Sequence, residues 1–279
     1  MSARPPGAAY RGPHAFGDDL RRLVNLTYTL AANDFKLRFF GSALGYLWSL
    51  MRPLLLFGVL YFVFTEIVRF GAGVENYPVY LLASIVLFTF FSEATGRGVI
   101  SLVERETLLR KIRFPRMVVP LSVALHALFN LGLNLIVVFT FVFAAGIEPR
   151  WSWFQMLPLV LLLVVLATGT TMLLSALYVR YRDMQPIWEV VLQILFYASP
   201  IMYVAASFPD NVERAAMANP IAAVLTQMRH ALIDADAPTA AEAIGGGARL
   251  AIPLLVTAAV FGLGVYVFMR EAPRIAEDL

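Results

Sequence analysis

Long apolar stretches without a single charge are the feature that most constrains this chain. Residues 117–147 and 151–179 contain no Asp, Glu, Lys or Arg. Each is longer than the roughly 20 residues that an α-helix needs to cross a hydrocarbon core of about 30 Å. Only 15% of the 279 residues are charged, whereas soluble domains average about 25%. So few charges cannot cover a water-facing surface, which predicts an all-α integral membrane protein.

The uncharged windows predict six transmembrane helices within residues 41–270. A disordered stretch, 1–17, comes before them and a cytoplasmic tail, 271–279, after them. Pro53 suits the first turn of a helix, where its missing N–H costs nothing, so we expect it to open the first span. The six spans are expected at about residues 53–70, 76–96, 117–146, 154–179, 187–206 and 250–269.

The basic residues orient these spans. Six spans place both termini on one side, and if that side is cytoplasmic it holds 17 of the 22 Lys and Arg residues. Basic residues favour the cytoplasmic side of a membrane, so both termini are predicted to be cytoplasmic. The external basic residues would be Arg69, Arg150, Arg214, Arg229 and Arg249.

Three segments between or before the spans have helical patterns of their own. Residues 18–40 repeat apolar side chains every three to four positions, which is typical of a helix lying in the membrane interface. Residues 99–116 form an amphipathic, basic connection that suits docking to another protein. Between the last two spans, 210–234 predict two short external helices separated at Asn219 and Pro220.

The sequence lacks the common signatures of catalysis. It has no cysteine, no phosphate-binding GxxxxGK[ST] loop and no HExxH motif, so we predict neither metal nor nucleotide binding by this chain. His126, Asn130 and Asn134 form a polar stripe in the third span. That stripe indicates either a relay or hydrogen bonds between helices.

Four segments resemble the membrane subunit of bacterial ABC exporters of polysaccharides, the family serving O-antigen, teichoic acid, capsule and other cell-wall glycans. The similarity extends over about residues 20–270. Arg52 departs from the pattern, because relatives often carry an uncharged amide there. The matching segments are RFFGSALGYLWSLMRPLL, LLRKIRFPR, RYRDMQPIWEVVLQILFYASPIMY and NPIAAVLTQMRHALI.

The resemblance implies a homodimer that works with two copies of a separate ATPase subunit, which would hold ATP and Mg²⁺. The cargo would be a polyprenyl-diphosphate-linked glycan, exported through the plasma membrane between the two protomers. Residues 210–234 would form an external gate that includes Asn219, Pro220 and Met228. Residues 104–116 would cover a coupling helix, whose ATPase contacts are expected at Glu104, Arg105, Leu109, Arg110, Lys111, Arg113, Phe114 and Pro115.

Two further sets of residues suit such a cargo. Aromatic rings can guide a sugar chain by stacking, although they are equally common as packing residues. Arg38 and Arg52 lie at the cytoplasmic entrance, where they either bind the diphosphate or anchor the chain among lipid headgroups. The aromatic residues expected to line the channel are Phe57, Tyr61, Phe64, Tyr197 and Tyr203.

Other functions remain open from the sequence. A related ABC exporter of drugs or lipids would share the spans but lack this combination of motifs. An integral-membrane glycan-processing enzyme would need clustered catalytic carboxylates or histidines. An ion-coupled carrier would need ionisable residues near the bilayer centre. No nucleic-acid partner is expected at a net charge of +3.

Overall fold

The computed structural model describes residues 20–39, 45, 47–69, 74–111 and 115–272. The stretch 1–17 and residues 273–279 of the expected tail lie outside the described residues. All regular elements in the described part are helices. The helices are α1 (Leu20–Phe39), α2 (Leu47–Phe62), α3 (Tyr77–Glu104), α4 (Glu106–Lys111), α5 (Val118–Ala144), α6 (Met156–Arg180), α7 (Met184–Ala198), α8 (Asp210–Ala216), α9 (Pro220–Met228), α10 (Ala240–Ala243) and α11 (Ala251–Glu271).

Several helices are extended by a turn of different geometry. α2 and α9 continue as π-helical turns at Val63–Ile67 and Arg229–Ile233. α6 and α11 are preceded by 3₁₀ turns at Trp151–Gln155 and Gly247–Leu250.

Five helices of the described chain are long and apolar enough to cross a membrane. They overlap the first four and the last of the six expected spans. Length and composition therefore indicate a multi-pass membrane protein. The five segments are Leu47–Ile67, Tyr77–Glu104, Val118–Ala144, Trp151–Arg180 and Gly247–Glu271.

The fifth expected span, at residues 187–206, differs from the helix found there. α7 has 15 residues and ends at Ala198, which gives a length of about 22 Å, shorter than a hydrocarbon core of roughly 30 Å. Ser199 leaves the helix with ψ 147°, because a residue before proline is disfavoured in the α conformation. α7 by itself is therefore shorter than the other five candidate spans, and the count of six spans stays a prediction.

The start of the first span also differs from the expectation for Pro53. The turn at Gly45, where φ is +46°, is followed by α2 from Leu47, so Pro53 lies inside the helix and not at its first turn. A proline there removes one N–H from the hydrogen-bond ladder. The helix begins earlier because the residues before Pro53, including Leu47 and Trp48, are mostly apolar and adopt the same helix.

α3 is the central helix of the described structure. Of its 28 residues, 19 are buried, and it packs against α2, α5, α6, α7 and α9. By contrast, no residue of α7 is buried, and α2 buries only Pro53. The buried residues are therefore concentrated in α3, whereas α2 and α7, which pack against it, bury almost no side chain.

α1 lies along the beginning of α5. Leu23, Thr27 and Ala31, spaced four residues apart, form its buried edge, and Tyr28 and Phe35 both pack edge-on against Phe129 at 6.1 and 5.7 Å. Leu20, Val24 and Leu37 are large apolar side chains of α1 that remain exposed. The helix therefore contacts the helical core along one edge and leaves an apolar surface, as a helix at a membrane interface would.

α6 and α11 approach each other so closely that their backbones are in contact. A Cβ atom on Gly169 would overlap Cα of Phe261, and one on Gly264 would overlap the carbonyl oxygen of Gly169. Small residues allow this close approach between apolar helices.

We predict that Gly264→Val destabilises the protein by about 1–3 kcal/mol, because the added side chain forces α6 and α11 apart. The matched control is Gly262→Val on the same helix, since a Cβ there meets no atom within 4 Å. Thermal unfolding of both variants in one detergent measures the difference. Equal unfolding temperatures for the two variants would contradict this packing.

Candidate functional site

A cavity of about 380 Å³ with polar walls lies between α2, α3, α5 and α7. The rest of these helices is mostly apolar, so a group of polar side chains between them is unusual. The polar side chains of its lining are Ser49, Arg52, Thr89, Ser92, Glu93, Arg97, Asn130 and Asn134.

Glu93 is the centre of the hydrogen-bonded network in this cavity. Its Oε2 accepts a 3.0 Å hydrogen bond from Nδ2 of Asn130, and its Oε1 lies 3.9 Å from Nε of Arg97, one helical turn away. Asn134 donates in turn to the backbone carbonyl of Asn130 at 2.8 Å. Oδ1 of Asn130 is buried and has no partner among the described residues. The negative charge of Glu93 is thus compensated from α3 and α5 together.

A second cavity, of about 660 Å³, lies between α1, α3 and α5. Arg97 lines both cavities, and its Nη1 lies 3.5 Å from Nε2 of His126, a buried side chain whose ring also packs edge-on against Phe35. The lining further includes acidic and basic groups from three elements, Asp34, Glu104 and Arg105. Arg97 therefore stands where the two cavities meet.

Arg105 ties the end of α3 to α1 and α5. Its Nη2 forms an ion pair with Oδ2 of Asp34, and its Nη1 donates to Oγ of Ser122 at 3.3 Å. The side chain of Arg105 is only 17% exposed. Because α4 begins at the next residue, Glu106, this contact connects α1 to the segment proposed for coupling.

The residues expected to contact an ATPase divide into several groups. Glu104 is exposed at the end of α3 and Leu109 is partly buried against the core. Arg105, directed at Asp34, and Pro115, which is buried, are engaged within the chain and not exposed, because both lie against the helical core. Arg110 and Lys111 belong to α4 but their side chains lie outside the described part, as do Arg113 and Phe114 entirely.

Of the two arginines expected at the entrance, the structure describes the side chain of one. Arg38 lies in α1, but its side chain is outside the described part of the chain. Arg52 is exposed on α2 and lines the cavity that contains Glu93 and Arg97.

Three of the expected channel aromatics lie together on α2 and its π-helical extension. Phe57 stacks on Tyr61, with ring centroids 5.6 Å apart, and packs edge-on against Phe141 of α5 at 5.6 Å. Phe64 is partly buried against the same core.

The other two expected aromatics lie at the end of α7 and beyond it. Tyr197 is 59% exposed. The hydroxyl of Tyr203 donates to the backbone carbonyl of Tyr197 at 2.8 Å, and its ring packs against Phe208. A channel role for all five aromatics stays a prediction.

The expected gate residues lie in the buried helix α9. Asn219 caps this helix, accepting from the Ile221 N–H at 3.0 Å while its Nδ2 donates to Oγ of Ser199 at 3.0 Å. Pro220 is buried at the first turn, and Met228 is completely buried at the end. The cap therefore joins α9 to the end of α7; a gating role is a prediction.

The π-helical continuation of α9 is held against α3. Arg229 forms a 3.2 Å ion pair with Asp234 and lies 5.8 Å from the ring centroid of Tyr80. The Tyr80 hydroxyl donates to the carbonyls of Pro200 and Tyr203. These contacts fix the segment that follows α7 to the central helix.

Two carboxyl groups between α7 and α11, Glu213 and Glu242, have shifted pKa values. Hydrogen bonds from the backbone and hydroxyl of Thr239 lower the pKa of Glu242, which completes a capping box at α10. Burial, followed by the nearby charge of Asp210, raises the pKa of Glu213. The Glu242 contact contributes stability above that group's unfolded-state pKa and loses it as the pH falls through its lowered folded-state pKa.

Comparison with protein families matches residues 25–233 to the ABC-2 type transporter family. This range includes both cavities, α9 and its π-helical continuation. The chain belongs to the ABC-2 type transporter family.

Individual relatives of this ABC-2 transporter are named for polysaccharide export. An O-antigen export system permease protein RfbA from Myxococcus xanthus is 30% identical over 233 residues, covering 81% of this chain and 89% of the relative. One from Klebsiella pneumoniae is 28% identical over 212 residues, or 76% and 81% of the two chains. The polysialic acid transport protein KpsM from Escherichia coli is 22% identical over 206 residues, or 73% and 80%.

The family resemblance was readable from the sequence, but most residues of the polar cavities were not. The polar stripe was noticed, and hydrogen bonding between helices is confirmed for Asn130. The second span is expected to end at about residue 96, which puts Glu93 near its end and Arg97 beyond it, whereas both residues lie inside α3. Their spacing of four residues, which suits an ion pair on one helix face, was the signal that could have found them. Asp34 had no such signal, because its partner lies 71 residues away.

We predict that Asp34→Asn lowers the unfolding temperature of this ABC-2 transporter. The change removes the ion pair that joins α1 to the start of α4, leaves Arg105 without its acid and costs about 1–3 kcal/mol. Thermal unfolding of the variant and of the unchanged protein in one detergent measures the effect.

The control is Lys36→Gln, which removes one charge from the same helix at an exposed position. The exchange Asp34→Arg with Arg105→Asp should recover part of the lost stability. If the exchange behaves no better than Asp34→Asn alone, the ion pair is not what connects α1 to α4.

Proposed function

We propose that this chain is the permease subunit of an ATP-driven polysaccharide exporter. The observation that carries the proposal is the charged cavity around Arg97, set among apolar helices in a family member whose relatives are named for O-antigen and polysialic acid export. A polysaccharide is large and polar, so its membrane subunit needs polar groups within the spans. A purely apolar helix bundle would offer such a cargo no contacts.

The cargo is proposed to be a glycan linked to a polyprenyl diphosphate. Arg52 and Arg97 line one cavity, and guanidinium groups bind phosphate oxygens through paired, charge-assisted hydrogen bonds. Arg97 is paired with Glu93 on the same helix. On binding, the diphosphate would replace Glu93 as the negatively charged partner of Arg97. The polyprenyl chain would stay in the lipid beside the exposed apolar face of α2.

The working form is proposed to be a homodimer. α2 and α7 are the least buried of the four helices that line the cavity. Val59 and Phe62 on α2, and Ile187 and Ile194 on α7, are exposed. A second protomer packed on these two helices would cover the cavity and convert it into an enclosed passage.

Energy would come from a separate ATPase subunit bound at the cytoplasmic side, in two copies for a homodimer. α4 and the exposed Glu104 are the proposed contacts, and the ATPase would hold ATP and Mg²⁺. The Asp34–Arg105 ion pair would then carry movements of α4 to α1. The location is proposed to be the bacterial plasma membrane, with both termini cytoplasmic and α8 to α10 on the external side.

We predict that Arg97→Gln lowers glycan export and glycan-stimulated ATPase activity about tenfold or more, because one charge-assisted contact to the diphosphate is lost. The measurement uses the purified complex of permease and ATPase, supplied with a defined lipid-linked glycan in vesicles. Arg270→Gln, an exposed arginine at the end of α11, is the matched control.

Several outcomes would overturn the proposal. Failure of any ATPase subunit to co-purify, or transport driven by an ion gradient alone, would exclude an ATP-driven exporter. Stimulation by drugs or free lipids but not by lipid-linked glycans would identify a different cargo. Unchanged activity in Arg97→Gln would leave the exporter assignment intact but remove the diphosphate from this cavity.

We also expect Tyr61→Ala to lower the export of long glycan chains severalfold, because a stacking surface is removed from α2. Tyr266→Ala, an exposed tyrosine of α11, should leave export unchanged. The length distribution of the exported glycan measures both variants. Full-length export by Tyr61→Ala with normal complex assembly would assign Tyr61 to packing alone.

A further inference from the structure

A third cavity, of about 520 Å³, lies at the opposite end of α5 from α1. It is formed where the end of α5, the following connection and the beginning of α6 meet. Its walls are mainly apolar, with Leu135, Phe139, Leu157 and Val160 among the lining residues. Neither the charged cavities nor the expected channel aromatics contribute to it.

Two side chains in this apolar wall carry three buried hydrogen-bond donors without an acceptor. Nε and Nη2 of Arg150 and Nε1 of Trp153 have no partner among the described residues, and both side chains, each partly buried as a whole, line the cavity. A buried donor without an acceptor is costly in an apolar environment, which favours a negatively charged acceptor there.

The aromatic residues around this cavity are of the kind found at membrane–water interfaces. Trp151 is 87% exposed and stacks on Phe154, with ring centroids 5.7 Å apart. Trp153 packs against Phe139 and Phe143 at 5.6 and 5.7 Å. Tryptophan is enriched at membrane–water interfaces because its ring is amphipathic. A charged group and an apolar groove therefore meet beside such residues, as the polar and apolar parts of a phospholipid meet.

We propose that this cavity binds one anionic glycerophospholipid of the bilayer. The phosphate accepts hydrogen bonds from Arg150 and Trp153, and an acyl chain lies along Phe139 and Val160. A bidentate guanidinium–phosphate contact suits this geometry, and the negative headgroup matches the single basic side chain of the lining. The lipid site requires only that the protein lies in a membrane and that these residues are present, so it does not depend on which cargo is exported.

The test is lipid binding to the purified complex of permease and ATPase, followed by native mass spectrometry. The probes are phosphatidylglycerol and phosphatidylethanolamine with identical acyl chains. We expect one phosphatidylglycerol to bind about tenfold more tightly than phosphatidylethanolamine, because the ammonium group of phosphatidylethanolamine offsets the attraction between its phosphate and Arg150. Arg150→Gln should remove this preference, whereas Arg249→Gln, an exposed arginine outside the cavity, should retain it.

A second pair of variants tests the apolar part of the site. Val160→Trp fills the cavity and should abolish the preference, whereas Leu161→Trp, at the neighbouring exposed position, should not. If the Arg150→Gln variant does not form the complex with the ATPase, the Val160→Trp and Leu161→Trp variants still test whether the cavity binds the lipid. Retention of the preference by Arg150→Gln or by Val160→Trp would overturn the proposal.

Competition experiments distinguish other phosphate sources. Inorganic phosphate should not displace the bound lipid, and equal competition would identify a simple anion site. Displacement by a polyprenyl diphosphate at lower concentration than phosphatidylglycerol would assign the cavity to the cargo and would also overturn the proposal.

Discussion

The compensation of Glu93 by Arg97 and Asn130 is the interaction on which the interior of this protein depends. These groups lie on α3 and α5, the two helices that line both polar cavities. An unpaired charge among apolar helices is strongly destabilising, while a paired and hydrogen-bonded one is tolerated. The network therefore joins α3 to α5 at the polar cavity, beside the apolar contacts through which the same helices pack.

The distribution of buried surface around this centre has a functional meaning. α3 is packed on all sides and α6 contacts α11 through glycines, so these helices form a rigid frame. α2 and α7 expose apolar faces on either side of the charged cavity. Within a membrane such faces meet lipid or a second protomer. A transporter that must open a passage for a large glycan needs this combination of a rigid frame and sides that can separate.

The sequence predicted the helical membrane fold because uncharged windows of this length have few alternatives. It also predicted the family, because several motifs occur in the right order. It did not predict where α7 ends, since the uncharged window continues beyond the break at Ser199 and Pro200. Hydropathy counts residues, whereas the break follows from backbone sterics.

The site was only partly readable for a related reason. The position of Arg52 before an apolar run predicts an entrance residue; Arg52 lines the charged cavity, and its entrance role stays a prediction. Arg97 was counted as a loop residue, because a charge marks the end of a span in any hydropathy reading. In the structure α3 continues to Glu104 and Arg97 lies against α5. Contacts such as Asp34 with Arg105 depend on tertiary packing, which no local pattern contains.

Photo-crosslinking of the cargo tests the central claim most directly. A photoreactive amino acid replaces Leu192, which lines the charged cavity from α7, or Ile194, which is exposed on the same helix. The account predicts that a polyprenyl-diphosphate-linked glycan crosslinks at position 192, more weakly at 194, and that Arg97→Gln removes the adduct at 192. Equal crosslinking at both positions, unaffected by Arg97→Gln, would contradict a diphosphate site in this cavity.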